Sequence, residues 1–168
     1  PVFAVVFNAF PVYFLDTQQS HLVPDLRWFP TRASTGTKLV NALLAGPSDW
    51  LKDAVVTAIP TGTKLTIQAV NVENGIALVD FDTTALDADP IERRLVLSQL
   101  RATLLQLPGV IDVAVSINGS AQAIVPTQLQ TISSGGAVYV AKSTGIYRVN
   151  ANDSNPLNGT SAFLAKNE

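Results

Sequence analysis

The chain has 168 residues, 47% of them hydrophobic and 14% charged, apolar material enough for the core of one ordinary domain with some chain to spare. A formal net charge of −2 supplies no field to gather nucleic acid or an anionic membrane surface, and no apolar run approaches the length of a membrane span. Cysteine is absent, which excludes disulfides, thiolate metal sites and thiol nucleophiles together.

Residues 1–10 are apolar but lack a basic leader and a small-residue cleavage site, so they do not read as a signal peptide. With no methionine in the sequence, the chain is expected to begin inside a longer protein or after processing, and 1–11 are taken as a lead-in. Strands are predicted over 12–16 and 22–29, joined by a hairpin loop at 17–21. Pro24 has no ladder donor, which points to an edge strand or a bulge. Ser34, Thr35 and Thr37 offer caps to a helix over 38–45. Leu39, Ala42 and Leu43 fall on one of its faces, and Gly46-Pro47 ends it. Ser48 or Asp49 would cap a short turn through 50–54, while 55–59 fit either helix or extended chain.

Leu65, Ile67 and Ala69 alternate with polar residues, the period of a strand with one covered face. Asn74-Gly75 is the preferred pair for a type I′ hairpin turn. The returning strand, 76–81, puts Ala77, Val79 and Phe81 on one face and Ile76 and Leu78 on the other, which suits a central position. Asp89, Pro90 and Glu92 form a capping box with proline at the first helical position. In the helix that follows, Leu97, Leu100, Leu104 and Leu107 make a stripe expected to face Leu65, Ile67, Val79, Val113, Val115 and Ile117. Arg93, Arg94, Gln99, Arg101 and Gln106 are assigned to its wet side. Two helices, each with one stripe to bury, and a mixed or antiparallel sheet predict an α+β, two-layer sandwich with both helices on one face. Residues 121–136, with Pro126 and Ser133-Ser134-Gly135-Gly136, read as a linker. A C-terminal hairpin is predicted over 137–141 and 145–149, followed by a tail to 168.

Five short motifs stand in a set order: Val12-Tyr13-Phe14-Leu15-Asp16, Leu43-Leu44-Ala45-Gly46-Pro47, Ala58-Ile59-Pro60-Thr61-Gly62-Thr63, Asn74-Gly75-Ile76-Ala77-Leu78-Val79-Asp80, and Leu107-Pro108-Gly109-Val110 leading into the strand at 113. In this order, over 12–120, they resemble the GerMN domain, the sporulation and spore germination module of Gram-positive bacteria, and most of all its branch in actinobacterial lipoproteins of the LpqB type. The resemblance implies a compact fold akin to ring-building motifs and a non-enzymatic, extracytoplasmic role without cofactor. It also implies a parent anchored to the outer face of the cytoplasmic membrane, and a protein partner: the extracytoplasmic domain of a two-component sensor histidine kinase linked to cell-wall growth and division. Other readings are a module for a small molecule or peptidoglycan fragment, and homo-oligomerisation. In that branch a β-propeller follows, so 137–168 are either the opening of its first blade or a hairpin of the GerMN sheet with a tail.

Chemistry is sparse. His21 is the single histidine and has no second with which to chelate a metal. A triad from Ser20 or Ser34 with His21 and Asp25 lacks a nucleophile-elbow motif. Asp80, Asp82 and Asp87 are candidates for Ca²⁺, but the chain between them lacks the glycine and final glutamate of an EF-hand loop. Asn118-Gly119-Ser120 and Asn158-Gly159-Thr160 are formal sequons that read as turns. For a partner surface the candidates are Tyr13, Asp25, Arg27 and Trp28 on the first hairpin, with Trp50 as a second aromatic anchor.

Overall fold

β-branched and aromatic residues at both ends of a short polar loop give a long antiparallel ribbon. In the computed structural model, which describes residues 7–30, 34–132, 138–142, 145–150 and 153–156, β1 (Phe7–Asp16) and β2 (His21–Pro30) pair from Phe7↔Pro30 to Leu15↔Leu22. Residues 7–11, expected as lead-in, are therefore strand. A four-stranded sheet runs in the order β3-β1-β2-β8, with β3 at Val55–Val56 and β8 at Gln130–Thr131. β8 pairs with β2 only over His21 and Leu22, so the expected edge character of Pro24 holds beyond that point. Turns through 49–54 precede β3, which resolves the segment left open between helix and strand.

α1 (Thr35–Leu44) buries Leu39, Val40, Ala42 and Leu43 and stops at Gly46, whose φ of +89° suits glycine. The second sheet has the order β4-β5-β6-β7: β4 (Asn71–Glu73), β5 (Ile76–Phe81), β6 (Asp112–Ile117) and β7 (Ser120–Ala121). Asn74 and Gly75 turn β4 into β5 with φ of 51° and 83°, the type I′ geometry the pair predicts. β5 and β6 are parallel and so need a crossover, which α2 (Pro90–Leu104) supplies. Its capping box is complete: Asp89 Oδ1 accepts from the Glu92 N–H at 2.8 Å, and Glu92 Oε2 accepts from the Asp89 N–H at 2.8 Å.

The architecture is α+β, as the alternation of elements predicts, with strands β1–β8 divided into two sheets that share one buried core. Leu97, Leu100 and Leu104 are buried there with Leu65, Val79, Val113, Val115 and Ile117, and Leu107 packs partly against it. Ile67 is the exception, 63% exposed. The expected strand at 65–69 is reduced to one bridge, Leu65↔Phe81. Beyond it, a tight turn with Ala69 N–H donating to Ile67 C=O at 2.7 Å lifts the chain off the sheet.

Gln99 and Gln106 also depart from the expected wet side. Gln99 is fully buried, and its carboxamide stands between β1 and the chain leaving β3. Its Nε2 donates to Tyr13 C=O at 3.0 Å, and its Oε1 accepts from Ala58 N–H at 2.9 Å. The β1–β3 ladder pairs Leu15↔Val56 and Asp16↔Val55, so its next hydrogen-bonded rung would join Tyr13 to Ala58 directly. The side-chain amide replaces that rung. Thr103 Oγ1 accepts the Tyr13 N–H at 3.1 Å, and Gln106 Nε2 donates to Pro11 C=O at 2.7 Å. A polar stripe at helical spacing thus satisfies a strand edge that no backbone covers.

Residues 121–132, read as linker, lie across α2 instead: Ser98 Oγ donates to Thr127 C=O at 2.9 Å and Ile132 N–H to Leu22 C=O at 2.8 Å. They belong to the first of two compact units, Pro1–Ile132 and Ser133–Glu168. Within the second, β9 (Val138–Lys142), β10 (Gly145–Asn150) and β11 (Asp153–Pro156) form an antiparallel sheet of their own. The expected hairpin is present and gains a third strand. Expectations for 1–6, 133–137 and 157–168, Asn158 included, lie outside the described residues.

Candidate interaction surface

The ribbon is fixed at its turn by Asp16. Its Oδ1 accepts from Ser20 N–H at 2.6 Å and His21 N–H at 2.9 Å, and its Oδ2 accepts the Ser20 hydroxyl at 2.8 Å. Those donors, the His21 amide first, hold its carboxyl down to about 2. Ser20 Oγ lies 2.9 Å from His21 Nδ1, so serine, histidine and an aspartate do meet, but the aspartate is Asp16 and serves the loop's own amides. Asp25, the acid proposed for such a triad, lies elsewhere.

In β2 the sequence Asp25-Leu26-Arg27-Trp28 alternates, and its faces are the reverse of the usual polar-out arrangement. Asp25 is completely buried. Arg27 Nη2 donates to its Oδ2 at 2.8 Å, and the Ser48 N–H does so at 2.9 Å. Burial pushes the Asp25 carboxyl up, but the Arg27 and Ser48 bonds outweigh it and leave the group below the usual carboxylate range. Arg27 Nη2 also donates to Gly46 C=O at 2.6 Å, a carbonyl at the end of α1 that the helix itself cannot satisfy. Asp25 and Arg27 therefore fasten the helix terminus to the ribbon. Asp25 is thus withdrawn from the surface and Arg27 is half-buried, so neither stands on the exposed face beside Trp28 as expected.

The inverted pattern turns Leu26 and Trp28 outward, 64% and 55% exposed. Across the ladder they face Pro11 and Ala9, and Pro24 faces Tyr13. Where the same face reaches Leu15 and Leu22 it is buried. Tyr13 packs partly against the core, and burial raises its hydroxyl above the usual value. Leu26 was not singled out from the sequence, although strict alternation beside two charged residues carries the signal. Trp50, 75% exposed, sits in the turn after Ser48, apart from this stripe in sequence.

Strand addition at the β2 edge is blunted. Tyr13 turns its N–H and C=O away from β2 toward Thr103 and Gln99, so its partner Pro24 directs its backbone to the outer edge. Pro30 has the same parity. Two of the edge positions between 24 and 30 thus have no donor, while the face that carries Leu26 and Trp28 stays exposed.

Two of the three metal candidates, Asp80 and Asp82, are engaged within the fold. Asp80 Oδ1 accepts from Ser116 Oγ at 2.6 Å and Gly119 N–H at 2.9 Å. Partial burial alone would raise its pKa, but these bonds and one from the Thr66 side chain lower it. Asp82 Oδ1 accepts from Lys64 N–H at 3.3 Å, and Asp87 is exposed at the end of a 3-10 turn, Thr83–Asp87. Among the described residues no three histidine, aspartate or glutamate side chains converge as a metal site. Asn118 and Gly119 form a turn with positive φ, as expected. A groove of about 280 Å³ between Phe10, Val70, Leu104, Leu107 and Val110 has Thr35 as its polar lining, and so lacks the converging polar groups a glycan needs.

Residues 11–123 match the family described as Sporulation and spore germination (Germane). Lipoprotein LpqB of Thermobifida fusca (strain YX) is 34% identical over 122 residues, which are 68% of this chain and 19% of that protein. Lipoprotein LpqB of Corynebacterium jeikeium (strain K411) is 38% identical over 104 residues, 61% of this chain and 17% of that protein. The chain thus spans about a fifth of these curated relatives. Among solved structures, the first GerMN domain of the sporulation protein GerM from Bacillus subtilis superposes with a TM-score of 0.57 at 21% identity, covering 75% of this chain and 94% of that one. The tandem GerMN domains of the same protein give 0.58 at 18%, covering 88% and 62%. These two share the fold.

Proposed function

The chain belongs to the Sporulation and spore germination (Germane, or GerMN) family, and from that premise we propose that it is a non-enzymatic, extracytoplasmic interaction domain of an LpqB-like lipoprotein. The parent is held at the outer face of the cytoplasmic membrane by its lipid. The domain contacts the extracytoplasmic part of a two-component sensor kinase and modulates signalling in cell-wall growth and division. Relatives named as lipoproteins support the location. One observation carries the contact: an apolar pair, Leu26 and Trp28, is held outward on a rigid ribbon whose charged residues are turned inward. Buried aromatic anchors dominate the centres of protein interfaces.

Biolayer interferometry of the 168-residue chain against the kinase's extracytoplasmic domain tests this reading. Leu26→Asp with Trp28→Ala should weaken binding at least about tenfold and leave the circular dichroism spectrum unchanged. Equal affinity of the folded variant would refute the surface.

A further inference from the structure

We infer a second binding site, specific for an oxyanion, in the groove between the first turns of α2 and the segment that follows β7. The groove encloses about 470 Å³, with Arg93, Arg94, Gln122, Ala123 and Val125 in its lining. Its two guanidinium groups are fixed from behind. Arg93 Nε donates to Ala88 C=O at 2.8 Å and its Nη2 to Leu86 C=O at 3.0 Å, while Arg94 Nε donates to Val125 C=O at 3.2 Å.

These bonds orient the side chains without neutralising them. Neither arginine is ion-paired among the described residues, where the salt bridges are His21–Asp16, Arg27–Asp25 and Arg101–Asp112. Arg93 Nη1 and both Nη atoms of Arg94 keep their hydrogens for another acceptor. The acids of the same helical turn do not compete: Asp89 and Glu92 are engaged with the backbone amides of the capping box. Two guanidinium groups therefore share one concavity. Planar guanidinium donors match carboxylate and phosphate oxygens, and the bonds to the Ala88, Leu86 and Val125 carbonyls restrict the two side chains before a ligand arrives. The exposed side chain of Val125 adds an apolar wall for the body of the ligand. The ligand class is therefore a phosphate ester or a peptide carboxylate presented outside the cell, with the oxyanion as the shared element. This site is independent of the ribbon face and of the kinase reading.

The test is an NMR titration of the 168-residue chain at constant ionic strength in chloride, following the Arg93 and Arg94 Nε–Hε signals. The probes are glycerol 1-phosphate and N-acetyl-dialanine. Saturable shifts with the phosphate, the carboxylate or both support the site and identify the source of the oxyanion. Arg94→Gln should weaken binding roughly tenfold, one decade being about 1.4 kcal/mol. Ala123→Glu, which removes no hydrogen bond and places an acid in the groove, should weaken it at least as much while leaving the thermal melt unchanged. Shifts that never saturate with either probe, or saturable binding that both variants retain in full, would overturn the inference.

Discussion

Gln99→Leu is the substitution that best separates a polar core position from a merely tolerant one. Leucine keeps most of the volume, so little cavity forms, and its branched end fills the gap that would have to close for Tyr13 and Ala58 to pair directly. What is lost is the bond to Tyr13 C=O and the bond from Ala58 N–H. Two backbone groups at a fully buried side chain are then left without partners. Each such group costs about 1–3 kcal/mol, so the loss should be about 2–6 kcal/mol, a large share of the stability of a domain this size. Urea unfolding gives the free energy, and hydrogen exchange at the Ala58 amide should accelerate beyond the global effect. Gln99→Glu extends the argument. Its carboxyl can accept from Ala58, but it donates to Tyr13 only when protonated, and burial raises its pKa in the folded state. A raised folded pKa gives a contribution present below the unfolded value and lost as pH rises through the folded one. The glutamate variant should therefore approach wild-type stability in acid and fall away toward neutrality. A leucine variant within about 0.5 kcal/mol of wild type, with unchanged exchange at Ala58, would refute the interposed-amide account.

Arg27→Glu should cost about 3–5 kcal/mol in urea unfolding, because it leaves the buried Asp25 facing a like charge. Leu100→Ala, at a fully buried leucine, should cost about 2–5 kcal/mol by the same method. Asp16, Asp25 and Asp80 all have lowered pKa values in the fold, so the stability they confer is present above the unfolded carboxylate range. It should be lost as pH falls below the unfolded carboxylate range, for Asp16 through about 2, and Asp16→Asn should flatten that part of a melting-temperature profile.

Local chemistry made much of the fold legible. Asn74-Gly75 demands positive φ at both residues, and Asp89, Pro90 and Glu92 satisfy a helix start among themselves, so neither depends on distant chain. The leucine stripe of α2 was equally plain. Gln99 was not, because a glutamine at that place in a helix reads as solvent-facing unless one knows that β1, 86 residues away, lays an open edge beside it. Asp25 and Arg27 misled for a related reason. Charged residues alternating with Leu26 and Trp28 look like the wet face of a strand, and it is the Gly46 carbonyl and the Ser48 donors after α1 that make the opposite orientation favourable. Ile67 continues an alternating pattern after the chain has turned off the sheet, where period alone no longer reports burial. Trp28 was placed at the surface from the sequence, yet the reason for its exposure lies in the inward pair beside it.

Hydroxyl-radical footprinting of the chain, free and bound to the extracytoplasmic domain of the sensor kinase, tests the central claim most directly, since Trp28 and Trp50 are both exposed and report independently. The account predicts that binding protects Trp28 and Leu26 while Trp50 keeps its reactivity. Protection of Trp50 with Trp28 unchanged would contradict it and move the working surface to the turn after α1.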